Sequence, residues 1–403
     1  MANTLPEIGR DSGAMTARAA SNLWLVIGMG SMAYGKERRA VTAFKHMRQA
    51  RPYFLTTVWE DGSVSDLLRS NDFEFTPVTL GYLGRARLRW TLLNLVLMPR
   101  LFLTALRKYR EEHCRGIVIL ALQPFANLLP VLWLLRKFWR ARMFFYLGDI
   151  PANTGPNRFL CRVMKSMADA IVVNSEAVRS GLERVGVPAK NIEVIYNGVD
   201  LERFNKPLPF PWREQFRWNA EAILIGYAGQ FTENKGVWDF LEAAQELLRR
   251  DDRCRFLFIG NNDKENECYC RIAGRINEQN LGDKIVFAGW ITEMERAYAS
   301  LDLIVVPSRH EEAGSNVVIE AMASGLPVIA TRVGGNSEIV SENETGFLMD
   351  KINPSEIATR ILQLANDASL RSRLGCSARR AAELRFDTRK NAIAVERAMI
   401  GVL

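Results

Sequence analysis

The apolar positions of this chain fall in short, nearly unbroken runs separated by longer amphipathic stretches. LWLVIG (23–28), YFLTTV (53–58), GIVILAL (116–122), MFFYL (143–147) and AIVVN (170–174) are rich in β-branched and aromatic residues. Runs that are apolar at every position, rather than at alternate ones, predict strands buried on both faces of a parallel sheet. The pattern repeats in AILIGYAG (222–229), CRFLFIG (254–260), KIVFAG (284–289), DLIVVPS (302–308) and PVIAT (327–331). Between the two sets lies NKPLPFPWREQFRWN (205–219), rich in proline and without periodicity, which reads as a linker.

The expected fold class is therefore α/β, with two doubly wound Rossmann-like domains facing each other across a cleft. Residues 1–22 read as a disordered leader and 23–204 as the first domain. Residues 220–385 read as the second domain, and 386–403 as a C-terminal helix that could pack back across the first. In doubly wound sheets, ligands sit at the carboxyl ends of the strands.

Composition narrows the class. A chain of 403 residues exceeds what one core usually fills. The net charge of +8 suggests an anionic partner. No aromatic-basic recognition motif accompanies that charge, so nucleic acid is not the expected partner. The six cysteines are too sparse for a disulfide scaffold. Cys268 and Cys270 lack the spacing of a zinc site, and reduced thiols in a cytoplasmic protein are expected. Residues 1–22 are polar, carry Glu7 and Asp11, and lack the pattern of a signal peptide.

The densest chemistry lies in EEAGSNVVIEAMASG (311–325). Ser315 or Asn316 suits the N-cap of a helix that Gly325-Leu326-Pro327 stops. Glu312 then sits in the loop and Glu320 about one turn into the helix. The free amides at the helix start favour a phosphate, and Gly314 permits close approach to the backbone. A carboxylate in the first turns, as at Glu320, matches a vicinal diol such as a ribose. Glu312 could hold another hydroxyl-bearing group. Taken alone, two solvated glutamates would read the same. A second element, GYAGQFTENKGVWDFLEAA (226–244), gives strand, Gly-containing loop and helix, with Lys235 placed as a point charge suited to a diphosphate.

Together these stretches resemble the retaining glycosyltransferases of the GT-B type, family 4 (glycosyl transferase group 1). The resemblance is carried by GQFTENKG, FAGWI, VVPSRHEEAGSNVVIEAMASGLPVIAT, VGGNSEIV and ETGFLM. Upstream, ADAIVVNSEAVRSGLERVGVPAKNIEVIYNGVDLERF (168–204) resembles the end of the family's first domain. The resemblance implies that Glu320 binds the donor ribose and Glu312 the donor sugar. It implies that Gly314, Ser315, Asn316 and Val317 meet sugar and phosphate through their amides, and that Lys235 meets the diphosphate. Gly229 and Gln230 belong to the same donor loop, and Gly260 and Trp290 would face the base. The catalytic set is then Glu312, Lys235 and Asp149, with Gly28, Gly30 and Asp149 on the acceptor side.

Two positions depart from the family pattern. Gln230 stands where the family usually has Arg, and Arg309 or Arg332 could compensate. In YLGDIP, Gly148 stands where many members have His, while Asp149 is retained. An impaired protein that binds a sugar nucleotide or a partner without turnover is the alternative these departures leave open. The expected reaction is sugar transfer from a nucleoside diphosphate to an acceptor hydroxyl with retention, the leaving phosphate accepting the proton. No metal or other cofactor is expected. No Asp-x-Asp pair ends a strand, and Lys235 with a helix dipole can replace the cation.

The first domain speaks to the acceptor. GMGSMAYGKERRA (28–40) has a GxG, but its third glycine is misplaced for a dinucleotide fingerprint. A loop facing the cleft and touching the acceptor is expected instead. Residues 83–110 and 128–142 combine apolar and basic positions, too short or interrupted for a span. They suit peripheral contact with an anionic membrane surface at the inner face of the plasma membrane. Helices that merely cover the sheet would show the same pattern. A glycan or lipid-linked acceptor follows from the membrane reading.

Overall fold

The computed structural model describes residues 22–29, 35–57, 63–78, 99, 102–111, 114–310 and 312–401. The expected leader, Gly30 with the loop after it, and all of 83–98 lie outside the described residues.

In the first domain, β1 (Leu23–Met29), β2 (Arg51–Thr57), β3 (Phe75–Val78), β4 (Gly116–Ile119), β5 (Arg142–Leu147), β6 (Ala170–Val173) and β7 (Ile192–Val194) form one sheet. Its order is β3-β2-β1-β4-β5-β6-β7, and the pairs are parallel. In the second, β8 (Ile223–Ala228), β9 (Cys254–Ile259), β10 (Ile285–Gly289), β11 (Leu303–Val306), β12 (Val328–Thr331) and β13 (Gly346–Met349) are ordered β10-β9-β8-β11-β12-β13. These pairs are parallel as well.

The unbroken apolar runs exist because each strand feeds two cores. Leu25, Ile27 and Phe145 point into one layer, while Trp24, Val26 and Phe144 point into the other. In the second sheet, Leu224, Leu257 and Ile304 face one side and Ile225, Phe256 and Val305 the opposite side. Helices close both faces. Strand order reverses between β1 and β4 and again between β8 and β11. The carboxyl end of β1 and the loops that leave β8 and β11 therefore border crevices at the carboxyl edges, where ligands bind in such sheets.

The segment 205–219 is a packed strap. Trp212 and Trp218 are buried in the second core, and Trp218 Nε1 donates to the Asp283 carbonyl at 2.6 Å. Arg213 pairs with Asp302 at 2.8 Å. Apart from the short helix Trp212–Gln215 the strap is irregular, yet it is fixed by these contacts.

The C-terminal helix Thr388–Ile400 returns to the first domain. Val395, Ala398 and Met399 share a core with Trp24 and Phe144. Its Glu396 Oε1 accepts from the backbone amides of Arg48, Gln49 and Ala50 at 2.9, 2.6 and 2.7 Å. Val199 bonds backbone-to-backbone with Phe386 and Thr388, so two crossings of the chain run side by side between the domains.

Candidate functional site

The helix Asn316–Ala323 starts where β11 reaches its crevice. Ser315 is its N-cap, extended in backbone, with Oγ accepting from the Val318 amide at 3.4 Å. That cap satisfies one of the orphan amides and leaves the others at the helix mouth. The loop before it is pinned from behind. Gly335 N donates to the Glu312 carbonyl at 2.6 Å. Gly334 has φ +50°, and any Cβ there would collide with the Glu312 carbonyl oxygen. The turn of VGGN thus sets the position of Glu312.

Lys235 comes from the other side of the crevice, at the end of the loop that leaves β8. Gly236 follows it with φ +67° and packs against the Pro307 carbonyl, with no room for a Cβ. Lys235 Nζ then donates to Glu312 Oε1 at 2.5 Å, and Ser308 Oγ donates to the same oxygen at 2.6 Å. Both donors use one oxygen of the carboxylate. Among the described residues, Oε2 carries no further bond and is available to a ligand hydroxyl.

A cleft cavity of about 310 Å³ is lined by Asp149, Lys235, Glu312, Gly314, Ser315, Asn316 and Val317. Seven residues selected from the sequence thus meet in one place. Asp149 lies on its exposed wall in the first domain, beside Gly148. Gly28 is the penultimate residue of β1, at the same sheet edge.

The other donor positions lie nearby. Gly229, Gln230 and Trp290 line a larger cavity of about 710 Å³, together with Arg38 of the first domain. The Arg38 guanidinium sits 6.0 Å from the Trp290 ring centroid. Gly260 lies beneath that loop, against the Gly229 carbonyl and the Phe231 ring, and Asn261 faces the space instead. Glu320 lines a third, smaller cavity with Arg38, Arg39, Arg203 and Asn316.

Glu320 retains some solvent exposure, yet burial pushes its carboxyl up to about 6. The Tyr298 hydroxyl, which donates to Oε2 at 3.1 Å, and the charges of Arg203 and Arg38 pull the other way without cancelling that effect. Desolvation disfavours the charged form. Tyr298 pays in kind: burial and the neighbouring Glu320 raise its phenol well above the ordinary value.

The expected compensation for Gln230 is corrected by the geometry. Arg309 forms a bidentate pair with buried Asp239, at 2.7 Å through both nitrogens. Arg332 pairs with Asp350 and Glu342. Both cations are paired with carboxylates, and neither lines the cavity that holds Lys235 and Glu312.

Several residues around the site were not singled out from sequence. Ser308 orients Glu312. Asn197, from NGVD, donates to Asn316 Oδ1 at 2.8 Å and to the Gly314 carbonyl at 3.2 Å, which ties the domains together at the helix mouth. Glu338 accepts from the Glu176 and Ala177 amides at 2.8 Å and makes a second tie. The stretch NGVD carried the signal for Asn197, whereas the partners of Glu338 are set by topology alone.

Residues 222–367 match the family model described as glycosyl transferases group 1, and residues 67–203 match the one described as glycosyltransferase family 4. N-acetyl-alpha-D-glucosaminyl L-malate synthase of Bacillus anthracis is 28% identical over 233 residues, 57% of this chain and 59% of that one. Sulfoquinovosyl transferase SQD2 of Arabidopsis thaliana is 31% identical over 241 residues, 57% of this chain and 44% of that one. The chain spans about half the length of the curated relatives it matches. Among solved structures, HepE of Anabaena in complex with UDP-glucose superposes with a TM-score of 0.77 at 21% identity, covering 94% of this chain and 100% of that one. A glycosyltransferase from Rickettsia africae gives 0.78 at 19% identity, covering 94% and 98%. With both domains matched, and both sheets and the cleft in place, the chain belongs to the GT-B glycosyltransferases of the family 4 type.

Proposed function

We propose that this protein transfers a sugar from a nucleoside-diphosphate sugar to an acceptor hydroxyl with retention at the anomeric carbon. The observation that carries the reading is the Lys235–Glu312 pair at the mouth of helix Asn316–Ala323, inside a cavity shared by both domains. The nucleoside lies along the larger cavity, with Glu320 holding ribose hydroxyls and Trp290 beside the base. The diphosphate meets the helix amides and Lys235. Glu312 Oε2 accepts from a sugar hydroxyl.

In the transfer step, the bond from the anomeric carbon to the phosphate oxygen breaks. The acceptor oxygen attacks on the same face. Its proton passes to the departing phosphate oxygen, and the diphosphate leaves with the charge that Lys235 and the amides stabilise. The protein contributes positioning and preorganised positive charge. In this reading that charge comes from the chain itself, without a resident metal.

The acceptor is a lipid-linked sugar or polysaccharide precursor at an anionic membrane surface. Among the described residues, no helix is long and apolar enough to cross a membrane. Helix Leu122–Trp139 buries Leu128, Val131, Leu132 and Leu135 but exposes Trp133 and Phe138 around Lys137. Aromatic rings with an adjacent cation suit the headgroup region.

The test is transfer itself. Labelled UDP-, GDP-, ADP- and dTDP-sugars are offered with a membrane lipid extract, and the product linkage is read by NMR. An α-linked lipid product from an α-linked donor supports the reading. An inverted product, or label that never leaves the nucleotide, contradicts it.

A further inference from the structure

Arg39 is a buried cation, 5% exposed, in helix Gly35–Lys45 of the first domain. Its guanidinium lies 4.4 Å from the Tyr146 ring centroid, and Nη2 donates to the Tyr146 carbonyl at 3.0 Å. No carboxylate pairs with it among the described residues, and its buried Nε has no hydrogen-bond partner. A buried charge is normally paired, because desolvation is costly. An unpaired guanidinium at such a site points to an anion that arrives with a ligand.

Two further observations place that anion. Arg39 lines both the cavity that holds Lys235 and Glu312 and the small one that holds Glu320. It reaches them over Gly148, where any Cβ would collide with Nη1. The side chain missing at 148 is thus replaced in space by the guanidinium. The cavity that holds Lys235 and Glu312 carries other unanswered polar atoms, the buried Oδ1 of Asn174 and of Asn197. Buried polar atoms are seldom left without partners, so this wall is built for a polar ligand.

We propose that Arg39, held over Gly148, binds the donor diphosphate from the first-domain side, opposite Lys235 and the mouth of helix Asn316–Ala323. It supplies the positive contact that Gln230 does not. A guanidinium also offers the planar fork that phosphate oxygens fit. This inference rests on the donor reading above, and the experiment separates the two.

Binding of UDP, GDP, ADP and dTDP, of the matching nucleosides, and of inorganic pyrophosphate is measured for the wild type, Arg39→Gln, Arg39→Lys and Gly148→Ala. Losing one charge-assisted contact weakens the preferred diphosphate on the order of tenfold or more. The expected result is that loss in Arg39→Gln, partial recovery in Arg39→Lys, and unchanged nucleoside affinity in both. Gly148→Ala, which leaves Arg39 in the chain but displaces it, shows the same selective loss, and it decides the matter should Arg39→Gln fail to fold. Equal loss for nucleoside and diphosphate, or none for either, overturns the inference. A wild type that ignores every nucleotide but binds pyrophosphate through Arg39 keeps the anion site and sinks the donor reading. A wild type that binds neither sinks both.

Discussion

Lys235 Nζ and Glu312 Oε1 lie 2.5 Å apart, joining the loop that leaves β8 to the loop that leaves β11. The two residues are far apart in sequence and meet only because β8 and β11 are neighbours at the point where strand order reverses. The pair fixes the Lys235 charge beside the helix mouth. With Ser308 it engages one oxygen of Glu312 and leaves the other without a bond among the described residues.

Removing this charge is expected to act on the chemical step. Lys235→Ala lowers kcat by about 10²–10³, the usual cost of one preorganised donor at a developing negative charge. The effect on KM is smaller. Steady-state kinetics with the preferred donor checks this, and a change confined to KM would assign Lys235 to ground-state binding alone.

Glu320 trades stability for binding. Burial pushes its folded carboxyl up to about 6, above the ordinary value of 4.5. Between those values the folded protein holds a proton that the unfolded chain has released. Ionised Glu320 therefore destabilises the fold at neutral pH, and the penalty fades as pH falls through 6 towards 4.5. Glu320→Gln raises stability at pH 7 by on the order of 1 kcal/mol and flattens its pH dependence in that window. Donor affinity in the wild type falls below pH 6 as the acceptor charge is lost. Thermal melts from pH 4 to pH 8, with and without donor, check both signs.

Gly236 is a strict requirement. Its φ of +67° and the Pro307 carbonyl beside it leave no space for a methyl group. Gly236→Ala costs at least about 2 kcal/mol, from backbone strain and collision together. It also swings Lys235 off Glu312, so donor affinity drops with stability. Gly282, whose Cβ would meet nothing within 4 Å, is the control, and Gly282→Ala stays within about 0.5 kcal/mol of the wild type.

Besides its apolar face, one carboxylate holds the C-terminal helix to the first domain. Glu396 accepts from three consecutive amides of the first domain. Glu396→Ala leaves those amides without their acceptor and costs about 3 kcal/mol, given ~1.5–3 kcal/mol per bond to a charged group and partial recovery by water. Urea denaturation reads the loss. Hydrogen exchange should show Arg48, Gln49 and Ala50 opening faster while the β8–β13 sheet is unchanged.

How far the sequence reaches can be judged from particular segments. LWLVIG and AILIGYAG announce their strands because a strand with helices on both faces must be apolar at every position. β3 and β7 escape such a reading. They are edge strands, and their residues Phe75, Thr76, Glu193 and Val194 are only partly buried, so no continuous apolar run marks them. The site was legible where local chemistry defines it. Ser315 caps, Gly325 stops, and Glu320 falls one turn in, all set by neighbours in the chain. Arg39 and Ser308 were not legible, since their importance comes from Tyr146, Gly148 and Glu312, brought to them by the fold. The contacts of the proline-rich strap were not legible either: Trp212 and Trp218 carry them, and no periodicity reveals these two buried tryptophans.

The most direct test of the donor site is thermal stabilisation by UDP-, GDP-, ADP- and dTDP-sugars, run beside Glu320→Ala. A bound ligand at a hundred times Kd stabilises by roughly 2.7 kcal/mol. Sugars on one base are expected to produce this shift in the wild type, and the variant is expected to lose it. No shift with any sugar nucleotide, or a shift that survives intact in Glu320→Ala, would contradict it.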